Sequence, residues 1–425
     1  MADRKLIDDC VHCGFCLPTC PTYQSWGEEM DSPRGRIYLM KSLAEGTSPL
    51  SATVVHHFDQ CLGCMGCVTA CPSGVKYDAL IEQTRAEIER SSARPRADRL
   101  FRAMIFALFP YVRRLKLLMF VQWLYIQTGM RWLLHRLGVP RLLPRRLRNL
   151  ETMMPPVSMS QLVDRLPAFS AAEGTRRTKV ALLAGCVQRA YFPEVNEATL
   201  RVLTAEGCEV LVPRDLHCCG ALSVHSGRAD EARGFARAAI AALERADVDA
   251  VVVNAAGCGS SMKEWGRLLA DDTEWAARAE AMAKKTKDVS EFLTELGAVA
   301  PRHPLALKIA YHDACHLAHA QRIREQPRAL LRAIPGVELT EIADADQCCG
   351  SAGIYNLVEP ESARQIGARK VDNVLAASPE LLVSANPGCT LQIQMLLRER
   401  GQSVHTAHPI ELLDASIRGI TLRAR

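Results

Sequence analysis

Near the start of the chain, apolar residues recur with the period of an α-helix in two stretches. In residues 31–46, Ser32 is a predicted N-cap and Pro33 a predicted first helical residue, and the apolar positions that follow share one face. Residues 77–90 repeat the pattern, with one face formed by Leu80, Ile81, Thr84 and Ile88. The alternating pattern that indicates strands does not accompany them. The N-terminal region is therefore predicted to be helical.

A different pattern fills the second half of the chain, where short aliphatic runs alternate with longer helical stretches. The helical stretches include residues 229–246 and 360–377. The aliphatic runs, which predict strands, are KVALLAG, CEVLVP, DAVVVNA, LKIAYHD, VELTEI and LLVSAN. Strands that alternate with helices predict parallel sheets, and ligands of such sheets bind beyond the carboxyl ends of the strands.

Between these regions, residues 99–150 contain no Asp or Glu and eleven Lys or Arg. Their longest uncharged run, Leu117 to Met130, has fourteen residues. A helix that spans a bilayer needs about 20 apolar residues, so this segment is not predicted to cross a membrane.

Three interpretations of this basic segment stay open. Its Trp123, Tyr125 and Trp132 suit a helix that lies in a membrane interface. The same pattern fits a helical hairpin between domains, with its arginines reaching outward to water. It also fits a docking surface for an acidic partner.

Composition limits the class of protein. The chain has 425 residues, of which 48% are hydrophobic and 23% charged, so it is predicted to be globular with several domains. A net charge of +5 is too small to indicate nucleic acid as a partner. The first residues, MADRKLIDDC, lack the apolar core of a secretory signal, so we expect a cytoplasmic protein. In a reducing compartment, the 17 cysteines are predicted to be metal ligands or redox groups rather than disulfides.

Eight of the cysteines lie in two runs with the same spacing, CVHCGFCLPTCP from residue 10 and CLGCMGCVTACP from residue 61. The pattern C-x2-C-x2-C-x3-C-P binds 4Fe–4S clusters, and the fourth cysteine of each run binds the other cluster. One cluster is therefore predicted on Cys10, Cys13, Cys16 and Cys71, and the second on Cys61, Cys64, Cys67 and Cys20. Zinc is the alternative, but zinc sites rarely use four cysteines at this spacing twice.

The second half of the chain contains an internal repeat. Cys186, the pair Cys218 and Cys219, and Cys258 recur 129 to 131 residues later, as Cys315, Cys348, Cys349 and Cys389. Shared order and spacing predict two copies of one unit of about 130 residues. Four thiolates are enough for one further iron–sulfur centre in a copy. The alternative is that they are packing or redox residues. Cys208 stands outside the pattern and is predicted to be a buried structural thiol.

Four histidines lie near these cysteines, and each has two interpretations. His217, His312, His316 and His319 are either iron ligands or proton relays, or they are hydrogen-bond partners, which is the commoner role. We do not assign them as ligands. No GxGxxG follows a predicted strand and no phosphate-binding GxxxxGK[ST] run is present, so this chain is not expected to have a substrate or dinucleotide site of its own.

The predicted fold class is a multidomain α+β protein. Residues 1–95 are predicted to form a helical ferredoxin-like domain with two 4Fe–4S sites, and residues 96–175 a basic amphipathic helical connector. Residues 176–300 and 301–425 are predicted to be two tandem α/β cysteine-rich domains with the CCG motif.

The two C…CCG…C copies resemble the cysteine-rich domain of heterodisulfide reductases and of iron–sulfur subunits of flavin dehydrogenases. YHDACHLAHAQRIREQPRALLRAIPGVEL and CCGSAGIYNLVEPESA resemble more specifically the glycolate oxidase iron–sulfur subunits, and the likeness covers the whole chain. The resemblance implies an electron-transfer subunit at the inner face of the cell membrane. It would carry electrons from FAD-containing subunits, which oxidise glycolate to glyoxylate, towards the membrane quinone pool.

One departure bears on the alternatives. Heterodisulfide reductases with the noncubane cluster end each copy in C-x-x-C, but Ser261 and Gln392 stand three residues after Cys258 and Cys389. A thiol–disulfide reductase is therefore disfavoured. A binding module with structural or oxygen-sensing clusters is a further alternative, although it needs only one cluster. The iron–sulfur subunit of an anaerobic glycerol-3-phosphate or D-lactate dehydrogenase shares the layout and stays open.

Overall fold

The N-terminal region of the computed structural model, which describes residues 3–91 and 94–422, is built from helices. They are α1 (Arg4–Asp8), α2 (Pro21–Trp26), α3 (Pro33–Ala44), α4 (Ala52–Asp59), α5 (Gly66–Ala70) and α6 (Tyr77–Arg90), with a 3-10 turn at Glu29–Asp31. Ser32 caps α3, since its hydroxyl accepts a hydrogen bond from the backbone N–H of Gly35. Phe58, Leu80, Ile81 and Ile88 are fully buried together. The two helices predicted here are confirmed.

Five helices form the connector. They are α7 (Arg96–Leu108), α8 (Val112–Gln127), α9 (Met130–Arg136), α10 (Val139–Leu142) and α11 (Arg145–Met153), followed by a 3-10 turn at Met159–Leu162. Buried arginines join the connector to the N-terminal helices, because Arg102 on α7 pairs with Asp59 on α4 at 3.7 Å and Arg94 pairs with both Asp59 and Asp98.

The first cysteine-rich unit is a five-stranded sheet with helices around it. Its strands are β1 (Phe169–Ser170), β2 (Thr178–Leu183), β3 (Cys208–Leu211), β4 (Ala250–Val253) and β5 (Thr286–Asp288), in the order β1-β3-β2-β4-β5. All pairs are parallel except β1 with β3. Its helices are α12 (Val187–Tyr191), α13 (Pro193–Ala205), α14 (Ala221–His225), α15 (Ala229–Ala246), α16 (Ala256–Lys263), α17 (Trp265–Leu268), α18 (Ala276–Lys285) and α19 (Val289–Leu296).

The second cysteine-rich unit repeats this topology. Its strands are β6 (Leu307–His312), β7 (Val337–Glu341), β8 (Leu381–Ser384) and β9 (His405–Ala407), all parallel in the order β7-β6-β8-β9. Its helices are α20 (Glu325–Arg332), α21 (Tyr355–Val358), α22 (Pro360–Ala376), α23 (Pro387–Glu399) and α24 (Pro409–Arg418), with one π-helical turn at His316–Ala320. The strand order matches β3-β2-β4-β5 of the first unit, which is the expected result of a duplication.

The two units share one hydrophobic core. Helix α13 of the first unit packs on α24 of the second, and α19 of the first packs on α20 of the second. Since α19 and α24 occupy the same place in their units, as do α13 and α20, this reciprocal packing has the form of an internal two-fold axis. Arg201 on α13 and Asp414 on α24 add an ion pair at 2.7 Å.

All six predicted strands are present, and the described part of the chain contains three further strands that were not predicted. The three are short and carry little apolar pattern: FS in β1, TKD in β5 and HTA in β9. Pairing with neighbouring strands, rather than an apolar pattern of their own, makes these segments strands. Strand β1 joins the first sheet although it lies in the range 96–175 that was predicted to be connector.

Candidate metal centres

The eight N-terminal cysteines line two small cavities. Cys10, Cys13, Cys16 and Cys71 border one of them together with Cys67. The other is bordered by Cys20, Cys61, Cys64 and Cys67. Each cavity therefore brings three cysteines of one run to the fourth cysteine of the other run.

Short turns hold these sulfurs close to backbone and hydroxyl donors. The backbone N–H of Gly63, which has a positive φ, lies 3.3 Å from Cys61 Sγ, and the Tyr77 hydroxyl lies 3.5 Å from it. Donors of this kind stabilise negative charge on sulfur. Thr22 Oγ1 lies 3.1 Å from Cys20 Sγ and donates its own hydrogen to the carbonyl oxygen of Asp31.

A buried cation lies behind the second cavity. Arg36 is almost wholly buried and is held by Asp31 and by the carbonyl oxygen of His57. Burial raises the pKa of the Cys61 thiol, but the positive charges of Arg36 and Arg85 outweigh burial, so that this pKa lies below its ordinary value. A thiolate is the metal-binding form of cysteine, so this cation favours a metal site.

In each cysteine-rich unit, the cysteines lie beyond the carboxyl ends of three parallel strands. Cys186 follows β2, the pair Cys218 and Cys219 follows β3, and Cys258 lies at the start of α16 after β4. In the second unit Cys315, Cys348, Cys349 and Cys389 follow β6, β7 and β8 in the same way. The sequence predicted that the cysteines of one unit meet at one edge of the sheet. The observed strand order brings them to that edge.

Within each unit, the sulfurs lie close together. Cys186 Sγ is 3.8 Å from Cys218 Sγ. Contact with Cys218 and burial raise the pKa of Cys186 well above its ordinary value. In the second unit, hydrogen bonds from Cys348 and Cys389 hold the pKa of Cys349 well below its ordinary value. Converging cysteine sulfurs form a donor set that suits iron–sulfur clusters and zinc alike.

The ferredoxin-like region contacts the second unit at its cysteines. Leu62 packs with Cys315 and Cys348, and the partly buried Cys64 lies against the same group. Burial raises the pKa of Cys64 well above its ordinary value, and the neighbouring Cys315 adds to this effect. The second N-terminal site and the second cysteine-rich site are thus adjacent.

Both cysteine-rich sets open into one cavity of about 710 Å³. All eight of their cysteines line it, and Cys61 contributes from the N-terminal region. The opposite wall comes from the connector and is mainly apolar, with Leu108, Phe109, Leu118, Val121, Leu147, Leu150 and Met153 among its residues. Gln188, also in the lining, is buried, and its amide has no hydrogen-bond partner among the described residues.

The connector has one packed face and one exposed apolar face. Leu115 and Met119 on α8 are fully buried against Ala190, and Phe101 and Ile105 on α7 pack on the second unit. Exposed apolar residues of α8 and α9 form the outer face: Leu117, Leu118, Phe120, Val121, Leu124, Trp132 and Leu133. No helix within residues 3–91 and 94–422 is long and apolar enough to cross a membrane.

The four histidines have different surroundings. His316 bonds the carbonyl oxygen of Gly63 and the hydroxyl of Ser260, and His319 bonds Thr69 and the carbonyl oxygen of Asp346. These two act as hydrogen-bond partners. His217 is exposed. His312 differs, because it is fully buried beside Cys349 and Cys389.

Sequence patterns missed the shared cavity, Arg36 and the cluster around His312. Arg36 lies in a helical stretch where a charged residue normally faces water, so nothing in the pattern marked it as buried. Cys208 is fully buried at the start of β3, and burial raises the pKa of its thiol to about 12. This environment agrees with the structural role predicted for it.

Fold and site define an iron–sulfur protein with a dicluster domain followed by duplicated cysteine-rich domains. A 4Fe-4S dicluster domain matches residues 6–75, and the Cysteine-rich domain family matches residues 180–263 and 309–394. The linker region of glycolate oxidase iron-sulfur subunits matches residues 97–154.

The chain belongs to the family of glycolate oxidase iron–sulfur subunits. It is 40% identical to the probable glycolate oxidase iron-sulfur subunit of Bacillus subtilis, over 97% of this chain and 94% of that protein. It is 34% identical to the glycolate oxidase iron-sulfur subunit of Escherichia coli, over 97% and 95%. Lactate utilization protein A of Shouchella clausii is 31% identical over 56% of this chain and 98% of its own length.

Proposed function

We propose that this chain is the electron-transfer subunit of a glycolate oxidase complex. On this proposal FAD-containing partner subunits oxidise glycolate to glyoxylate, and this chain carries the electrons towards the membrane quinone pool. Full-length similarity to two glycolate oxidase iron–sulfur subunits favours glycolate over lactate, since the lactate utilization relative matches little more than half of the chain.

The observation that carries the proposal is the unbroken series of cysteine sites. Two N-terminal cavities share Cys67, Cys64 of the second lies against Cys315, and both cysteine-rich sets line one cavity. Bound iron–sulfur clusters supply one-electron transfer. A series of adjacent sites suits conduction better than a structural or sensing role, for which one site is enough.

The residue types and their placing support specific ligands. Cys10, Cys13, Cys16 and Cys71 would hold one 4Fe–4S cluster, and Cys20, Cys61, Cys64 and Cys67 the other. Spectroscopy of Cys71→Ser and Cys20→Ser checks this exchange of ligands, since each change should alter the cluster held mainly by the opposite run. In the cysteine-rich units, Cys186, Cys218, Cys219 and Cys258 would hold one further centre and Cys315, Cys348, Cys349 and Cys389 another.

Reconstitution tests the function. The purified chain should contain iron and sulfide, oxidise no glycolate, and become reduced by glycolate once the flavoprotein subunits are added. Glycolate turnover by the chain alone, free of flavin, would contradict the proposal. If lactate or glycerol-3-phosphate with their flavoproteins reduced the chain, and glycolate did not, the chain would instead be assigned to a related dehydrogenase complex.

The shared cavity is the proposed site of the electron acceptor. The two centres on its cysteines would take up part of its volume, its connector wall is apolar, and the Gln188 amide offers one buried donor and acceptor. Leu118 and Val121 belong both to this wall and to the exposed apolar face. A lipid-soluble quinone can therefore enter from a membrane on which that face lies. Glycolate oxidation releases two electrons and two protons, and reduction of a quinone to a quinol consumes two of each.

Matched tryptophan substitutions on α8 test this site. Val121→Trp should obstruct the mouth of the cavity and weaken binding of a short-tailed benzoquinone, measured by calorimetry on the full chain. Leu117→Trp is the control, because Leu117 is exposed on the same helix but does not line the cavity. Equal quinone affinity in both variants and the wild type would exclude the cavity as the acceptor site. The proposed electron-transfer role would not be affected by that result.

A further inference from the structure

His312 is the last residue of β6, and it points at the cysteines of the second unit. One of its ring nitrogens, the sulfur of Cys349 and the sulfur of Cys389 all lie within 4.8 Å of one another. The three side chains are buried. An imidazole nitrogen and two thiolate sulfurs at this spacing are typical of a metal-binding site.

The imidazole of His312 faces cysteine sulfur, and its interaction with Cys349 helps to lower the pKa of that thiol. No nitrogen or oxygen atom of the residues that the structure describes bonds either ring nitrogen, although the side chain is fully buried. A buried polar group normally has a partner, because leaving it unpaired is costly. His316 and His319 obey this rule with backbone and side-chain partners. His312 therefore lacks the structural explanation that accounts for its neighbours.

The first unit has no equivalent of this donor. With Cys186 aligned on Cys315, the position of His312 is taken by Leu183, which is buried in the apolar core of the first unit. Neither unit has a cysteine three residues after its last ligand candidate, and Gln392, which stands at that place in the second, is bonded to Asn356 and to the carbonyl oxygen of Ala363. The second unit thus has five candidate donors and the first has four.

We propose that His312 is an iron ligand of the second cysteine-rich unit, acting with Cys315, Cys348, Cys349 and Cys389. This rests on the proposed function, in which those cysteines hold an iron–sulfur centre. A neutral imidazole on iron raises the reduction potential relative to an anionic thiolate, as it does where histidines replace cysteines in Rieske centres. The two cysteine-rich units would then differ in potential, with the second the better electron acceptor.

Nitrogen hyperfine spectroscopy tests the ligand directly. The full chain, prepared without oxygen and labelled with 15N-histidine, should show a strongly coupled nitrogen in pulsed electron paramagnetic resonance spectra. His312→Leu, which installs the residue of the first unit, should abolish that coupling. His316→Gln is the matched control and should keep it, because His316 follows Cys315 but is bonded elsewhere.

A second variant distinguishes loss of the histidine ligand from loss of the whole iron–sulfur centre. His312→Cys supplies a thiolate in place of the imidazole, so it should keep the iron content, lose the nitrogen coupling and lower the midpoint potential of one centre. A wild-type iron centre without nitrogen coupling, unchanged coupling in His312→Leu, or zinc in place of iron at this unit would each overturn the assignment. Iron content and reduction by glycolate with the flavoproteins, measured on the same samples, report separately on the proposed function.

Discussion

The two cysteine-rich units share a strand order and a cysteine spacing, yet they contact the ferredoxin-like region differently. The second unit meets it through buried cysteines and Leu62. The first meets it through charge, since Glu82 on α6 pairs with Arg267 at 2.9 Å and with His225 at 3.4 Å. The two copies thus share a scaffold and differ in their surroundings.

This difference predicts which unit lies on the main electron path. The second has a cysteine against Cys64 and an extra candidate ligand in His312, whereas the first meets the N-terminal region through ion pairs and has Leu183 in place of His312. We expect electrons from the N-terminal sites to reach the second unit first.

The largest expected effect comes from removing one cysteine from each unit. In the reconstituted complex, Cys315→Ser should slow glycolate-dependent quinone reduction at least about tenfold, which corresponds to about 1.4 kcal/mol of barrier. Cys186→Ser should slow it less, because the first unit does not adjoin Cys64. Equal losses in the two variants, at equal iron content in the unaltered sites, would show that the units act together.

The next largest effect is expected on stability, from the contact of Glu82 with Arg267 and His225, and it depends on pH. Burial raises the pKa of Glu82, but His225 and Arg267 outweigh burial and lower it to about 2 from an ordinary 4.5. A lowered carboxyl pKa stabilises the fold fully above pH 4.5, and this stabilisation disappears as the pH falls through 2. The shift corresponds to about 3 kcal/mol.

Glu82→Gln should therefore lower the free energy of unfolding by up to about 3 kcal/mol at pH 7. The difference from the wild type should shrink as the pH falls below 4.5. Urea unfolding across this pH range measures it. Glu87→Gln is a control on the same helix, since Glu87 is partly exposed and its partner Arg90 lies on the surface. A Glu82→Gln deficit that does not change with pH would mean that packing, not charge, joins these regions.

The smallest effect is spectroscopic. Leu183→His gives the first unit the donor that distinguishes the second, with little change in overall stability beyond that of a buried polar group, about 1–3 kcal/mol. In 15N-histidine-labelled protein the variant should show a second nitrogen coupling. A spectrum identical to the wild type would indicate that the first unit holds its ligands in a geometry that the imidazole does not reach.

Local patterns predicted the scaffold well and its contacts poorly. The period of Leu80, Ile81 and Ile88 located α6, and aliphatic runs located the six central strands, because burial of one face leaves a periodic trace. Strand β9, with the sequence HTA, leaves no such trace, because neighbouring strands determine it.

The candidate sites were predictable from cysteine spacing, since a cluster fixes the spacing of ligands that are near one another in sequence. The role of His312 depends on Cys349 and Cys389, which lie far along the chain, so the sequence left it among four similar histidines. The three interpretations of the connector stayed open for the same reason. Its helices have both a packed face and an exposed face, and a single stretch of sequence does not separate them.

The reciprocal packing of α13 on α24 and of α19 on α20 bears on how one unit would behave alone. A protein with one cysteine-rich unit would expose both apolar helix faces that are buried here, and each face is complementary to the other. A single unit is therefore expected to pair with a second copy of itself through these faces. In one chain the same pairing is intramolecular, so the two halves are free to differ, as they do at Leu183 and His312.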